Sequence, residues 1–157
     1  MTKKISVGKK APNFNLPATG DQKLSLKDFK GKNLVIYFYP KDATPGCTTE
    51  GQNFRDNYSK FKKANCDILG VSRDSVKSHE RFKEKQEFPF DLLSDEDEVM
   101  CQAYDVIKLK KMYGREYMGI ERSTFLINAE GKLVEEWRKV KVKGHVDEVL
   151  AAVKSLS

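Results

Sequence analysis

From Asn33 to Tyr39 the chain reads Asn-Leu-Val-Ile-Tyr-Phe-Tyr, a nearly unbroken apolar run that ends at Pro40. Aromatic and β-branched residues in such a run predict a central strand covered on both faces. Asp67 to Ser72 predicts a second buried strand, and Phe90 to Leu93 a short one. Between the strands the period changes. Phe54, Tyr58, Phe61 and Ala64 recur at helical spacings, which predicts one helix from Pro45 to Ala64. Ser75 to Gln86 predicts another, with Val76 and Phe82 turned inward, and Glu98 to Tyr104 a short third. Ser123 to Ile127 and Leu133 to Trp137 predict two strands joined by Asn128-Ala129-Glu130-Gly131, a hairpin with glycine closing the turn. Val146, Val149, Leu150, Val153 and Leu156 form the apolar stripe of a C-terminal helix. Nearer the start, Ala11 to Gly31 carries Pro12, Pro17, Gly20 and the alternation Leu24-Ser25-Leu26, which suggests a small hairpin or irregular strands.

Strands alternating with helices, followed by a hairpin and a last helix, predict an α/β fold with a mixed central β-sheet flanked by helices. That order is the one found in the thioredoxin fold. There is no internal repeat, low-complexity tract or linker, and 157 residues suffice for one core but not for two. A single domain over residues 1–157 is expected. The longest apolar run, Leu34 to Tyr39, is far too short to cross a bilayer. Met1-Thr2-Lys3-Lys4 is followed by no apolar leader segment, so the expected compartment is the cytoplasm.

A net charge of +6 raises the question of nucleic acid. The basic residues are mixed with acids, as in Lys83-Glu84-Lys85-Gln86-Glu87, and the densest cluster, Lys108 to Lys111, has no interleaved aromatics to stack bases. Neither a nucleic-acid nor a membrane partner is expected. Scattered charge of one net sign favours a soluble monomer. The three cysteines, Cys47, Cys66 and Cys101, are odd in number and widely spaced, which argues against a disulfide framework. No pair has C-x-x-C spacing, and the two histidines, His79 and His145, stand apart, so no metal site is expected.

The segment that carries chemistry is Tyr39-Pro40-Lys41-Asp42-Ala43-Thr44-Pro45-Gly46-Cys47-Thr48-Thr49-Glu50. A buried strand ends, a short loop follows, and a helix begins. Thr44 suits the N-cap, with its side-chain oxygen accepting a free backbone N–H. Pro45 suits the first helical position, where its missing N–H costs nothing. Cys47 then lies in the first turn, where unpaired N–H groups and the helix dipole favour a thiolate, the attacking form of sulfur. The same residues also fit a buried structural cysteine that happens to start a helix.

Pro40-x-x-x-Thr44-x-x-Cys47 resembles the active-site motif of the peroxiredoxins. The longer string, with Phe54-Arg55-Asp56 after it, is similar to the bacterioferritin comigratory protein branch, also called peroxiredoxin Q. The similarity runs from about Val7 through Lys111-Met112-Tyr113-Gly114 and Gly119-Ile120-Glu121-Arg122-Ser123-Thr124-Phe125 to the last helix. The resemblance implies a thiol-dependent peroxidase that reduces hydrogen peroxide and organic hydroperoxides without a cofactor. It implies Cys47 as the peroxidatic nucleophile, passing through a sulfenic acid. Thr44 would hydrogen-bond the thiolate and the peroxide, Arg122 would sit over the sulfur, and Pro40 would shield it from water. Pro45, Gly46 and Glu50 complete the expected shell, Glu50 either joining the arginine or standing as a solvated first-turn acid.

One departure bears on the cycle. Many relatives carry a resolving cysteine five residues after the nucleophile, where this chain has Gln52, and others carry it in the next helix, near Lys83. Cys66 and Cys101 suit packed positions better than partners. The expectation is a one-cysteine cycle, with thioredoxin, glutaredoxin or a small thiol reducing the sulfenic acid directly. The rival readings are a redox sensor or interaction module with little turnover, and a thioredoxin-like disulfide reductase, which the missing C-x-x-C pair disfavours.

Overall fold

In the computed structural model of the chain, which describes residues 5–156, both faces of the Asn33–Phe38 run are buried, and the layers follow from that. Met1 to Lys4, read above for a leader, and Ser157 lie outside the described residues. In chain order the elements are β1 (Asn15–Ala18), β2 (Gln22–Ser25), β3 (Asn33–Phe38), α1 (Pro45–Asp56), α2 (Tyr58–Lys63), β4 (Cys66–Ser72), α3 (Val76–Gln86), β5 (Asp91–Ser94), α4 (Val99–Ala103), β6 (Ile107–Met112), β7 (Arg115–Ile120), β8 (Ser123–Ile127), β9 (Leu133–Trp137) and α5 (His145–Lys154). Seven strands form one mixed sheet in the order β2-β1-β5-β4-β3-β8-β9. β3 pairs parallel with β4 and antiparallel with β8, so it lies in the interior of the sheet.

Successive residues of a strand face opposite sides, and β3 divides two cores accordingly. Leu34, Ile36 and Phe38 join a cluster with Phe29, Phe125, Met100, Cys101 and Tyr104. Val35 and Tyr37, with Tyr39 beyond the strand, join the other, with Cys47 and Phe54 of α1, Phe61 of α2, Phe82 of α3 and the α5 stripe. Helices α1, α2, α3 and α5 thus cover one face, and α4 with the N-terminal segment covers the other. Among the described residues no helix is long and apolar enough to cross a membrane.

Four expectations need correction. The helix expected from Pro45 to Ala64 breaks at Asn57, whose side-chain amide donates to the Asn53 carbonyl at 2.8 Å and takes the acceptor that its own backbone N–H would use. The inward face of α3 is His79 and Phe82, and Val76 is only half-buried because it sits at the first turn, near the rim. Leu156 falls beyond the end of α5 and is exposed. Lys108 to Lys111, over which no strand was expected, belongs to the β6–β7 ribbon, turned by Tyr113 (φ +53°) and Gly114 (φ +77°). Positive φ at both central residues fits the right-handed twist of the flanking strands.

Candidate active site

The parallel and antiparallel neighbours of β3 bring the site together at its C-terminal end. Phe38 pairs with Ser123, so Arg122, the residue before β8, arrives where the chain leaves β3 for the Pro40–Thr44 loop. Pro45 occupies the first position of α1, as expected, and Cys47 the first turn. The residue is almost fully buried, at 2% exposure.

Arg122 Nη2 lies 3.4 Å from Cys47 Sγ, and Nη1 donates to Glu50 Oε1 at 2.6 Å. One guanidinium thus spans the thiol and the carboxylate one turn further along the helix, in the fixed fork that suits such bridging. Burial alone would lower the Arg122 pKa, but the Glu50 carboxylate and the Cys47 sulfur beside it raise it, so the charge is secure. Gly46 makes room: a Cβ there would stand 3.1 Å from Nη2. Glu50 is no solvated acid. It is completely buried, and burial pushes its pKa from 4.5 to about 7 against the pull of Arg122. Its second oxygen and the Tyr37 hydroxyl are buried without hydrogen-bond partners among the described residues. Burial, then the nearby Glu50 and Cys47, raise the Tyr37 pKa well above the usual phenol value, so it stays neutral.

Thr44 is the N-cap residue of α1, but its hydroxyl does not accept a helix N–H. It donates instead to the Lys41 carbonyl at 2.8 Å, because Ala43 at φ +62° bends the loop back toward it. Its single proton is thereby committed to the backbone, and it makes no hydrogen bond to the sulfur. Pro40 is half-buried at the loop entrance, and Pro45 and Gly46 are exposed. A groove of about 680 Å³ runs past Pro45, Gly46, Thr49 and Asn53 toward Gly144 and Val146. His79, which looked isolated in sequence, lies with Asp42 and Asp74 beneath the loop.

The chain matches the AhpC/TSA family over residues 7–136. It is 54% identical over 153 residues to the peroxiredoxin Bcp of Bacillus subtilis (strain 168), covering 98% of each chain. The chain belongs to the AhpC/TSA family, on its peroxiredoxin Bcp branch. A mutant PrxQ of Xylella fastidiosa superposes on this peroxiredoxin with a TM-score of 0.92 at 47% identity, covering 98% of each chain. The bacterioferritin comigratory protein of Xanthomonas campestris, in a structure concerned with its alkyl peroxide reduction, gives 0.89 at 53% identity over 96% of this chain and 98% of that one. The fold is the thioredoxin fold of these relatives.

The two positions at which the resemblance points to a resolving cysteine, Gln52 and Lys83, hold residues with structural work. Gln52 Nε2 donates to Gln86 Oε1 at 2.8 Å and ties α1 to α3, while Lys83 pairs with Asp91 at 2.7 Å. All three cysteines of this peroxiredoxin are free and buried. Burial, then the Asp67 charge, pushes the Cys66 thiol up to about 12, and burial and Asp95 raise that of Cys101 as well. Cys101 lies in the core cluster across the sheet from Cys47.

Proposed function

We propose that this peroxiredoxin reduces hydrogen peroxide and organic hydroperoxides with the thiolate of Cys47, resolved by an external thiol. The observation that carries the reading is the Arg122 guanidinium 3.4 Å from Cys47 Sγ, in the first turn of a helix. The thiolate attacks one peroxide oxygen in line with the O–O bond. That bond breaks, the sulfur keeps one oxygen as a sulfenic acid, and the other leaves as water or an alcohol after gaining a proton. Negative charge spreads over two oxygens as the bond stretches, and fixed donors aimed there lower the barrier. Arg122 supplies such donors, with Glu50 holding its other nitrogen. Pro40 walls the sulfur from bulk water, and Thr44 serves the peroxide once its hydroxyl turns from the Lys41 carbonyl.

Two external thiols then complete the cycle. One condenses with the sulfenic acid, releasing water, and the second displaces Cys47 as a disulfide forms. Thioredoxin, glutaredoxin or a small thiol fits this role. The burial of Cys66 and Cys101, and the place of Cys101 across the sheet, favour an external partner. Scattered charge of one net sign favours a monomer.

The test is mass spectrometry after one equivalent of peroxide, with steady-state turnover on a thiol reductant. We expect one oxygen on Cys47, no turnover in Cys47→Ser, and most of it kept in Cys66→Ser and Cys101→Ser. Oxygen on another sulfur, or an internal disulfide in the parent, would overturn this cycle. Oxidation of Cys47 without turnover on any thiol would point to a sensor.

A further inference from the structure

Beneath the Pro40–Thr44 loop lies a buried polar cluster that touches neither Cys47 nor Arg122. Asp42 in the loop is 7% exposed, and its carboxylate accepts from Tyr39 Oη at 2.6 Å and Ser78 Oγ at 2.8 Å. The same carboxylate meets His79 Nδ1 at 2.7 Å. Its backbone N–H donates to Asp74 Oδ2 at 2.9 Å, and Asp74 is itself held by Ser72 Oγ at 2.6 Å. His79 Nε2 lies 2.8 Å from the Leu93 carbonyl. A carbonyl only accepts, so Nε2 carries a proton, and the short contact of Nδ1 with a carboxylate oxygen requires another between them. The chain beyond β3 is thus bolted to the first turn of α3 and to β5.

The next residue explains what the bolt holds. Ala43 is at φ +62°, a left-handed conformation that costs a residue with a Cβ roughly 1–2 kcal/mol. Such strain persists only where neighbours over-determine the backbone. Asp42 precedes Ala43 with four hydrogen bonds, and Thr44 follows with its bond to Lys41. We infer that Asp42 and His79 are positioning residues for the peroxide reaction: they lock the strained loop so that α1 starts with Cys47 against Arg122. This rests on Cys47 being the nucleophile.

A cation could be imagined here, since ligand atoms of Asp42, Asp74 and His79 lie within 4.8 Å of one another. Yet the Asp42 and Asp74 oxygens already accept protons from Tyr39, Ser78, Ser72 and the Asp42 backbone, and both His79 nitrogens are engaged. Hydrogen bonding alone accounts for the cluster.

The test compares the rate of Cys47 oxidation by peroxide with its alkylation by a small neutral reagent, in proteins first checked for folding by circular dichroism. In Asp42→Ala the loop relaxes, and a misplacement near 1 Å should lower the peroxide rate about tenfold or more. Alkylation, with both reactions followed on their high-pH plateaus where the sulfur is all thiolate in every variant, needs no peroxide geometry and should not fall. Asp42→Asn should stay near the parent, because its oxygen can accept from Tyr39 while its two amide hydrogens can be donated to Ser78 Oγ and His79 Nδ1. Should Asp42→Ala not fold, Tyr39→Phe decides: it keeps the ring, loses one hydrogen bond and should slow peroxide about fivefold. A folded Asp42→Ala, or failing that Tyr39→Phe, with the parent's peroxide rate would overturn the inference. So would an equal loss of alkylation. Oxygen found on a sulfur other than Cys47 in the parent would instead defeat the nucleophile assignment, which separates the two failures.

Discussion

Glu50 offers a quantitative test of the site's electrostatics. Its carboxyl is fully buried, one oxygen bound to Arg122 and the other without a partner, and burial raises its pKa from 4.5 to about 7. The folded state therefore holds this proton more tightly than the unfolded chain. The stability that results is complete below pH 4.5 and is lost as the pH rises through about 7. At about 1.36 kcal/mol per pKa unit, the interval from 4.5 to about 7 amounts to ~3 kcal/mol. Glu50→Gln keeps the length of the side chain and an acceptor for Arg122 Nη1 but has nothing to ionise. Near pH 4 the two proteins should be almost equally stable, because Glu50 is then neutral in the folded state and largely neutral in the unfolded chain, and Arg122 lacks a counter-charge in both. Near pH 8 the variant should be the more stable, by up to ~3 kcal/mol. Urea unfolding under reducing conditions, repeated across this range, gives the comparison. If parent and variant lost stability in parallel, the buried carboxyl would not be the titrating group, and this account of its pairing with Arg122 would fail.

Arg122→Ala should slow Cys47 oxidation by peroxide on the order of a hundredfold, since it removes the donor facing the developing charge. The fold should survive at mildly acid pH because Glu50 can take up a proton, and stopped-flow oxidation of a folded variant at the parent's rate would refute the role. Gly51→Ala tests the seat of α1: a Cβ there would stand 2.4 Å from Phe88 Cζ, and that ring is held by Phe82 and Phe90 at centroid distances of 5.0 and 5.1 Å. Overpacking costs about 1–3 kcal/mol against the ~1 kcal/mol that alanine gains over glycine in a helix. At the middle of that range the net loss is ~1 kcal/mol, which should lower the melting temperature by about 2–4 °C, and a variant more stable than the parent would refute the contact.

What the sequence revealed depended on how local each feature is. The run of β3 fixes its own burial, and the turn from Pro40 to Cys47 carries its own start signals, so Cys47 stood out from its neighbours as a first-turn cysteine, and the family resemblance supplied its proposed role. The β6–β7 ribbon escaped because the pattern was read for buried faces. Leu109, Met112, Tyr113, Tyr117 and Met118 are all exposed, and the lysines between them read as charge. Tyr113-Gly114 between alternating residues was the available signal. Glu50 was ambiguous, because nothing in a first-turn acid says whether a cation 72 positions away will cover it. Asp42 and His79 carried no local signal, since their value lies in meeting each other across 37 positions.

Arg122 marks the limit of such reading, because its place depends on strand register. In β8, Phe125 and Ile127 face the cluster that holds Cys101, while Leu126 faces the one that holds Cys47. Alternation therefore puts Arg122 on the same side as Thr124 and Leu126, toward α1. A slip of one residue would turn it to the opposite face. Hydrophobicity does little to prevent that slip, since all five residues of β8 are buried whichever side they face. Specific contacts do the pinning. Phe125 meets the rings of Phe38 and Tyr104 at 5.6 and 5.2 Å on one side. Thr124 Oγ1 bonds His145 Nε2 at 2.8 Å on the other. Burial and the charge of Arg122 lower the His145 pKa to about 4, so the imidazole is neutral and Nε2 can accept the threonine proton. An aromatic contact on one face and a neutral histidine on the other thus decide which face of the sheet receives the guanidinium.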